Sequence, residues 1–348
     1  FTIGFEDQNY DESKYAKKIA NYLGTDHNEL ILNQKEALNI IPTLPKVYDE
    51  PFADSSQIPT ILLSKFAKKH ITVALTGDGG DELFGGYNRY IFLKNFWEKI
   101  SILPYPVRKY FAKSIELFPI NFINNFRGIF NLITRSEVSF FGDKVSKFSH
   151  KMQTVRNIDD LYLSSISTFQ EPSNLLINSE DESKKIFQLK DNLNYSDYES
   201  LMMFVDSQTY LTDDILCKVD RASMSTSLET RVPFLDKHVV EFAWSLPTSM
   251  KIRNGQGKWI LKEILKKYVP KKYFERPKMG FGIPLGNWLR DELKEWGEDL
   301  INKKTLDSEG YFNSELVIKL WNEHQSNKRD WQSILWPILI FQSWKKEN

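Results

Sequence analysis

Three carboxylates crowd a glycine-rich stretch of this 348-residue chain, Thr76-Gly77-Asp78-Gly79-Gly80-Asp81-Glu82-Leu83-Phe84-Gly85-Gly86-Tyr87. Gly77, Gly79 and Gly80 permit positive φ and let backbone N–H groups come close to phosphate oxygens. Carboxylates repel phosphate unless a cation lies between, and Mg²⁺ is usually held by one or two carboxylates together with substrate phosphates. Asp81 is therefore a candidate Mg²⁺ ligand, and Asp78 and Glu82 are candidate site acids. The competing reading is a glycine turn whose acids serve the next helix, Asp81 as its N-cap and Glu82 as an acid favoured by the macrodipole.

Candidate cations lie far downstream. Lys258 follows Gly255-Gln256-Gly257 and opens a segment of helical periodicity. A lysine at a helix start opposes the dipole, so a negative group should face it. A pyrophosphate leaving group would supply that charge, with the lysine stabilising it in the transition state; the alternative is an exposed lysine. Lys218–Arg231 is polar, and Arg221 or Arg231 could bind a carboxylate or phosphate in a plane, unless Arg231 and Glu229 form a buried pair that only fixes the path of the chain. Arg276 and Lys278 form a basic turn that could close over phosphates. Ser55, Ser56 and Gln57 precede Pro59 as helix caps or as a border to a substrate carboxylate. Cys217, between Leu216 and Val219, reads as a small buried hydrophobe.

The elements that would position these groups alternate at first in the manner of a parallel α/β sheet. Strand-like Phe1–Phe5 is followed by a helix from Asp11 to Gly24, with Tyr15, Ile19, Tyr22 and Leu23 on one face, and then by a strand at Glu29–Leu32. A helix through Ile58–Lys69 leads to the strand Ile71–Leu75, which ends in the glycine loop, where ligands of open parallel sheets sit. From about residue 87 to about 200 the pattern is helical and carries no evident chemistry. Helices are then expected at Ser200–Thr212, Lys237–Ser245, Lys258–Tyr268, Asn287–Asn302 and Trp331–Trp344, the last kinked at Pro337.

Composition narrows the function classes. Lys+Arg and Asp+Glu each total 46, with no long run of one sign, which argues against a nucleic-acid-coating or membrane-docking face. One cysteine and five histidines leave no disulfide and no zinc spacing. A reducing cytoplasm fits best, and no apolar run approaches the roughly 18 residues of a membrane span.

Thr76–Tyr87 closely resembles the SGDGGDELFGGY segment of asparagine synthetases, and four further motifs agree in order: Tyr48–Thr60, Asp220–Met224 running into Leu228–Asp236, Lys258–Lys262, and Arg276–Phe281. The resemblance implies a Rossmann-like parallel sheet of the adenine nucleotide alpha-hydrolase (PP-loop ATPase) type, with an α/β nucleotide-binding part at 1–90, a helical insertion at 91–199 and a helical part at 200–348 completing the active site. It implies that the side-chain carboxylate of aspartate attacks the α-phosphate of ATP, giving an aspartyl-adenylate and pyrophosphate, and that ammonia then displaces AMP. By the same resemblance Ile3 lies beside the adenine, Thr76 and Gly77 against the nucleotide, Asp81 on Mg²⁺, and Asp78 and Lys258 are catalytic; Glu82, Arg221, Arg231 and Lys278 are further substrate or phosphate contacts. Many relatives carry Glu where this chain has Asp78, which sets that carboxylate one methylene back.

The chain opens on an apolar strand without Met, so the first strand and the Ser-Gly-Gly-x-Asp-Ser pyrophosphate loop are expected upstream. A glutaminase domain that supplies ammonia from glutamine is expected before them, and this stretch alone is expected to be inactive. The oligomeric state is open, a homodimer among the options. Two rival readings stand beside this one: a related amidotransferase acting on another carboxylate, such as a surface-polysaccharide uronic acid or the precursor of a β-lactam ring, and a non-catalytic nucleotide-binding relic. A free amino acid as acceptor would require an acidic partner for its α-amino group near Asp54–Thr60 and Lys218–Arg231, with a basic partner for its α-carboxylate. A kinase or phosphatase is disfavoured because neither a Walker lysine motif nor a kinase catalytic loop is present.

Overall fold

Thr2–Phe5 (β1) pairs in parallel with Glu29–Leu32 (β2), Thr2 opposite Glu29 and Phe5 opposite Leu32. A parallel pair needs a crossover, and Ser13–Leu23 (α1) provides it, ending at Gly24 with φ 65°. The apolar face expected on α1 is not the buried one: Ser13 and Ala20 are buried, whereas Tyr15, Tyr22 and Leu23 are 40–49% exposed. Gly4 explains this, because a Cβ there would stand 2.8 Å from Ser13 Cβ. Helix and strand meet through small residues, and the large side chains splay outward, Tyr22 reaching the ring of Tyr273 at 5.1 Å.

The computed structural model describes residues 1–5, 11–118, 122, 123, 125, 141–169, 172–178, 197–275 and 282–348. Within these the architecture is mostly helical with two small parallel sheets. The second sheet joins Val73–Leu75 (β3) to Glu229–Arg231 (β4), Val73 opposite Glu229 and Leu75 opposite Arg231. Among the described residues the two pairs are separate, in place of the single sheet expected. β4 escapes a reading of the sequence because its residues, Glu-Thr-Arg, are polar and two of the three are exposed.

The larger core gathers Tyr48, Ile58 and Ile61 against the C-terminal helices Leu285–Arg290 (α16), Ser314–Gln325 (α19) and Gln332–Glu347 (α20), numbered in chain order among the twenty α-helices of the described residues. A second core gathers Tyr90, Leu93, Leu161, Tyr162, Met202 and Met203. Helix Gln57–Lys68 (α4) and the helix Lys237–Ser245 lie where expected, and α20 runs through Pro337 as a single helix. Asn287–Asn302 is two helices, α16 and Lys294–Leu300, since Asp291 leaves helical geometry at ψ −91° and Leu293 N–H turns back to the Trp288 carbonyl at 2.7 Å. The helix expected at Ser200–Thr212 ends as an α-helix at Gln208 and continues as a π-helical turn, Tyr210–Leu216, into Cys217–Met224.

A hairpin of two glycine loops does the positioning. Asn254 and Gly255 both have positive φ, 52° and 72°, and close a two-residue turn in which Arg253 and Gln256 exchange hydrogen bonds at 3.0 and 2.9 Å, the arrangement that Asn-Gly favours. The turn delivers Gly257 onto Gly85, and a Cβ at Gly257 would strike the Gly85 carbonyl oxygen. Lys258 N–H then donates to the Phe84 carbonyl at 3.0 Å.

Gly257→Ala is therefore expected to destabilise the protein by about 1–3 kcal/mol, since the obstructing atom is backbone. Gly77→Ala, with nothing within 4 Å of its added Cβ, should stay within about 0.5 kcal/mol of wild type. Urea unfolding of both variants checks the contrast; equal losses would show that the Gly85–Gly257 contact does not hold the two loops together.

Candidate active site

β3 runs into the glycine loop, and Thr76 N–H extends the ladder by donating to the Arg231 carbonyl at 2.9 Å. The loop thus starts at the carboxyl ends of two parallel strands. Gly79 alone of its first three glycines has positive φ, 78°, and it opens the short helix Gly80–Phe84. Asp81 lies in the first turn of that helix and is not its cap, so the N-cap reading falls. The Lys258 ammonium meets the Asp81 carboxylate at 3.0 Å, both groups half-buried. Lys258 is the residue before the helix Trp259–Leu265 and has φ 54°. The expected negative group facing Lys258 is therefore, within the protein, Asp81. Gly86 is the third member: any Cβ there would collide with the Asp81 carboxylate and the Lys258 side chain.

This pair borders a cavity of about 630 Å³ lined also by Lys262, Lys266 and Lys271. Lys266 is paired with Glu263 at 2.5 Å and Lys271 with Glu275 at 2.8 Å. Lys262 forms no ion pair among the described residues. Four lysine nitrogens around one cavity suit a polyanion.

Glu82 behaves otherwise. It is 1% exposed, accepts a hydrogen bond from the Tyr87 hydroxyl at 2.6 Å, and burial raises its pKa. It is an acid of the helix's first turn, as one reading of the sequence has it, but buried and not solvent-facing. The Tyr87 ring lies 5.7 Å from Tyr210, and Tyr210 lines a second cavity.

That second cavity, about 710 Å³, is acidic, lined by Glu50, Asp54, Asp213, Asp214, Tyr210 and Trp336 among others. The π-helical turn presents Asp213, Asp214 and Tyr210 to it. Lys218, one turn after Asp214, holds Asp54 at 2.5 Å and stands 3.8 Å from Asp214 Oδ1. Burial alone would raise Asp54, but the Lys218 ammonium overrides it and keeps that carboxyl below its ordinary range. Asp214 goes the other way, pushed up to about 7 by burial and by the neighbouring Asp54. Asp214 Oδ1 is buried without a hydrogen-bond partner. Ser56 donates to Asp54 through both its N–H, at 2.9 Å, and its hydroxyl, at 2.8 Å, so this hydroxyl is not the helix cap expected of it. Arg221 donates to the Tyr48 carbonyl and lies 3.6 Å from Glu50. Cys217 is half-buried, directs its thiol at Glu50 at 3.1 Å, and is pushed up to about 11 by burial.

The expected site residues thus divide. Asp81 and Lys258 come together, and Arg221 reaches the rim of the acidic cavity through Glu50. Thr76, Gly77 and Asp78 sit at the ends of β3 and β4 and line neither cavity, although Thr76 Oγ1 is buried without a hydrogen-bond partner. Ile3 is buried in the other sheet, opposite Leu30. Arg231 pairs with Glu229 at 2.7 Å, but both are more than half exposed, so the pair is not buried. Lys278 and Arg276 lie outside the described residues. Among the described residues no group of three or more His, Cys, Asp and Glu side chains converges as a metal site; Asp81 offers a single carboxylate, which is compatible with a cation held mainly by phosphate oxygens. Reading the sequence for site residues overlooks Asp214, while Asp54 and Lys218 were reached only as members of the two segments expected around the acceptor; the i, i+4 spacing of Asp214 and Lys218 is the signal that was there to find.

The chain is similar to known proteins along nearly all of its length. The chain matches the Asparagine synthase family over residues 1–346. It is 33% identical over its whole length to "Asparagine synthetase [glutamine-hydrolyzing] 1" of Bacillus subtilis, covering 52% of that protein, and 30% identical over 99% of its length to the "Putative asparagine synthetase [glutamine-hydrolyzing]" of Mycobacterium bovis, covering 50%. "Amidase chyE" of Penicillium rubens is 24% identical over 89% of the chain, which covers 47% of that protein. The chain spans about half the length of the curated relatives it matches, the C-terminal half. Five ordered motifs, a lysine-lined cavity closed by Asp81 and Lys258, and a match along nearly all its residues place this chain in the asparagine synthase family.

Proposed function

We propose that the protein to which this chain belongs is a carbon–nitrogen ligase that converts aspartate to asparagine at the expense of ATP, releasing AMP and pyrophosphate, with ammonia drawn from glutamine by a glutaminase domain. In this reading the fold is of the PP-loop ATPase type, with residues 1–90, 91–199 and 200–348 as nucleotide-binding part, helical insertion and completing helical part. The enzyme works in the cytoplasm. The observation that carries the proposal is the docking of Lys258 on Asp81 at the mouth of the lysine-lined cavity.

The reaction needs charge neutralised on phosphate and two anions held together. Asp81 is the residue to hold Mg²⁺, which would screen the ATP phosphates when bound. Lys258, with Lys262 beside it, faces the charge that grows on the departing pyrophosphate. Thr76 Oγ1, buried without a partner, and the N–H groups of the loop beyond Thr76 are the donors to receive the nucleotide, with Asp78 close by. Ile3, buried in β1, is kept in this proposal as a backbone contact to adenine.

The acidic cavity is the place for the acceptor. An α-ammonium group would satisfy Asp214 Oδ1 and favour its ionised form, and Lys218 and Arg221 are the cations near enough for an α-carboxylate. A uronic acid has no ammonium to offer, so the unsatisfied acid favours an amino acid over a sugar acid.

The reaction class is tested by product analysis of the full-length protein with Mg-ATP, ammonium and aspartate. AMP and pyrophosphate should appear in equal amounts and only with aspartate; ADP, or release independent of aspartate, rejects the proposal. Lys258→Met should lower kcat by roughly 10²–10³ with little change in KM for ATP. Asp81→Asn should instead show a defect that shrinks as Mg²⁺ is raised. A loss in Lys258→Met confined to KM would make this lysine a ground-state binder.

Asp214 supplies a pH signature. Its carboxyl is raised to about 7 in the free protein, so below that pH it is neutral and cannot pair with an ammonium. Aspartate should bind more tightly as pH rises through about 7, with proton release on binding, and Asp214→Asn should flatten the profile. Calorimetry in buffers of different ionisation enthalpy measures both; an unchanged profile in the variant would remove Asp214 from the acceptor site.

A further inference from the structure

Tyr210 opens the π-helical turn and lines the acidic cavity. Burial, and then the carboxylates of Asp214 and Asp54 on the same lining, raise the pKa of its phenol, so the hydroxyl keeps its proton and stands close to both acids. Among the described residues that hydroxyl has no hydrogen-bond partner. The hydroxyls of Tyr87, Tyr90 and Tyr162, by contrast, all donate to carboxylates that are 1% exposed, Tyr87 to Glu82 at 2.6 Å and Tyr90 and Tyr162 to Asp206 at 2.5 and 2.8 Å. The cations near the cavity are committed: Lys218 holds Asp54 at 2.5 Å, and Arg221 donates to the Tyr48 carbonyl and lies 3.6 Å from Glu50. Tyr210 thus offers the cavity a donor that is both uncommitted and uncharged. A further cation beside Asp214 would pair with that acid and compete with a substrate ammonium; a phenol does not.

The Tyr210 ring is held by its neighbours. Tyr87 packs against it at 5.7 Å with the planes at 69°, and the Arg89 guanidinium lies over it at 5.2 Å and over Tyr87 at 4.2 Å. Arg89 is in turn fixed by Asp206, through Nε at 2.9 Å and Nη2 at 2.7 Å. Asp206 sits in the last turn of the helix Tyr198–Gln208, about one turn before Tyr210. A buried carboxylate is costly unless it is paired and hydrogen-bonded, and Arg89, Tyr90 and Tyr162 meet that need here. The anchor therefore lies where the α-helix gives way to the π-helical turn. Arginine suits the position because its planar fork can bond a carboxylate and stack on rings at once, which a lysine ammonium cannot.

We propose that Tyr210 is an acceptor-binding residue whose hydroxyl donates to the α-carboxylate of the amino-acid acceptor, and that Arg89, fixed by Asp206, is the positioning residue that aims it. The inference rests on the proposed function. There the acceptor carries an ammonium and a carboxylate on one carbon, so a donor beside Asp214 meets the carboxylate when Asp214 holds the ammonium.

The test is steady-state pyrophosphate release by the full-length protein with Mg-ATP and ammonium, with aspartate and ATP varied in turn. Tyr210→Phe keeps the ring and its packing, and should raise KM for aspartate by about tenfold or more, the loss of one hydrogen bond to a charged group. KM for ATP should stay within about twofold of wild type. Arg89→Lys keeps a charge for Asp206 but loses the planar group over the rings, and should shift KM in the same direction. In the double variant the Arg89→Lys penalty should largely vanish, because it acts through the Tyr210 hydroxyl. A Tyr210→Phe variant that matches wild type, penalties that multiply in the double variant, or a KM for ATP that rises as much as that for aspartate overturns the inference while the proposed function stands. A wild type that releases no pyrophosphate with aspartate rejects the proposed function, and this inference with it.

Discussion

One ion pair organises the chemistry of this molecule. An ammonium beside the positive end of a helix is unfavourable, and Lys258 adds a left-handed backbone that costs a side-chain-bearing residue about 1–2 kcal/mol. Such a conformation persists only when its surroundings over-determine it. Here they do: the Asn254-Gly255 turn aims the chain, Gly257 docks against the Gly85 carbonyl, the Lys258 N–H is held by Phe84, and Gly86 leaves the space in which Asp81 and Lys258 meet. Two loops 170 residues apart in sequence are thereby made into one wall of a cavity, and neither could supply it alone.

The two cavities divide the electrostatic work. The lysine-lined one suits phosphates; the acidic one keeps its carboxylates from repelling each other by splitting their protonation, Asp54 ionised against Lys218 and Asp214 neutral below about pH 7. Two adjacent buried acids cannot both ionise cheaply, so a single lysine settles which one does. Tyr87 packs on Tyr210, which lines the acidic cavity, and Arg89 lies over both rings at 4.2 and 5.2 Å.

Much of this was legible in the sequence, where local rules apply. Gly24 as a helix end, β2, the Lys237–Ser245 helix and the placement of the glycine loop after a strand all follow from short-range signals. β4 did not, because three polar residues carry no strand pattern and are held only by pairing with β3. The exposed face of α1 reversed for a similar reason: periodicity shows that apolar residues share a stripe, but only the close approach at Gly4 determines which stripe faces the strand. In the site, Asp81 and Lys258 could be named from residue type and motif, yet their contact with each other could not, since it depends on a fold across 177 residues. Asp214 was hidden because its one local signal, the i, i+4 spacing to Lys218, fits a pair on an exposed helix face as well as an acid held inside a cavity.

The π-helical turn at Tyr210–Leu216 carries a further consequence. In a uniform α-helix each residue advances by about 100°, so a turn that accommodates one extra residue rotates everything after it by that angle. Tyr210, Asp213 and Asp214 reach the acidic cavity while Ala222 and Ser223, a few residues on, stay buried against the rest of the fold, and both orientations are met only at this count of residues. Length is therefore the guarded property of the segment: side chains such as exposed Thr212 are free to vary, whereas losing or gaining one residue would turn either the cavity acids or the buried face of the following helix the wrong way round.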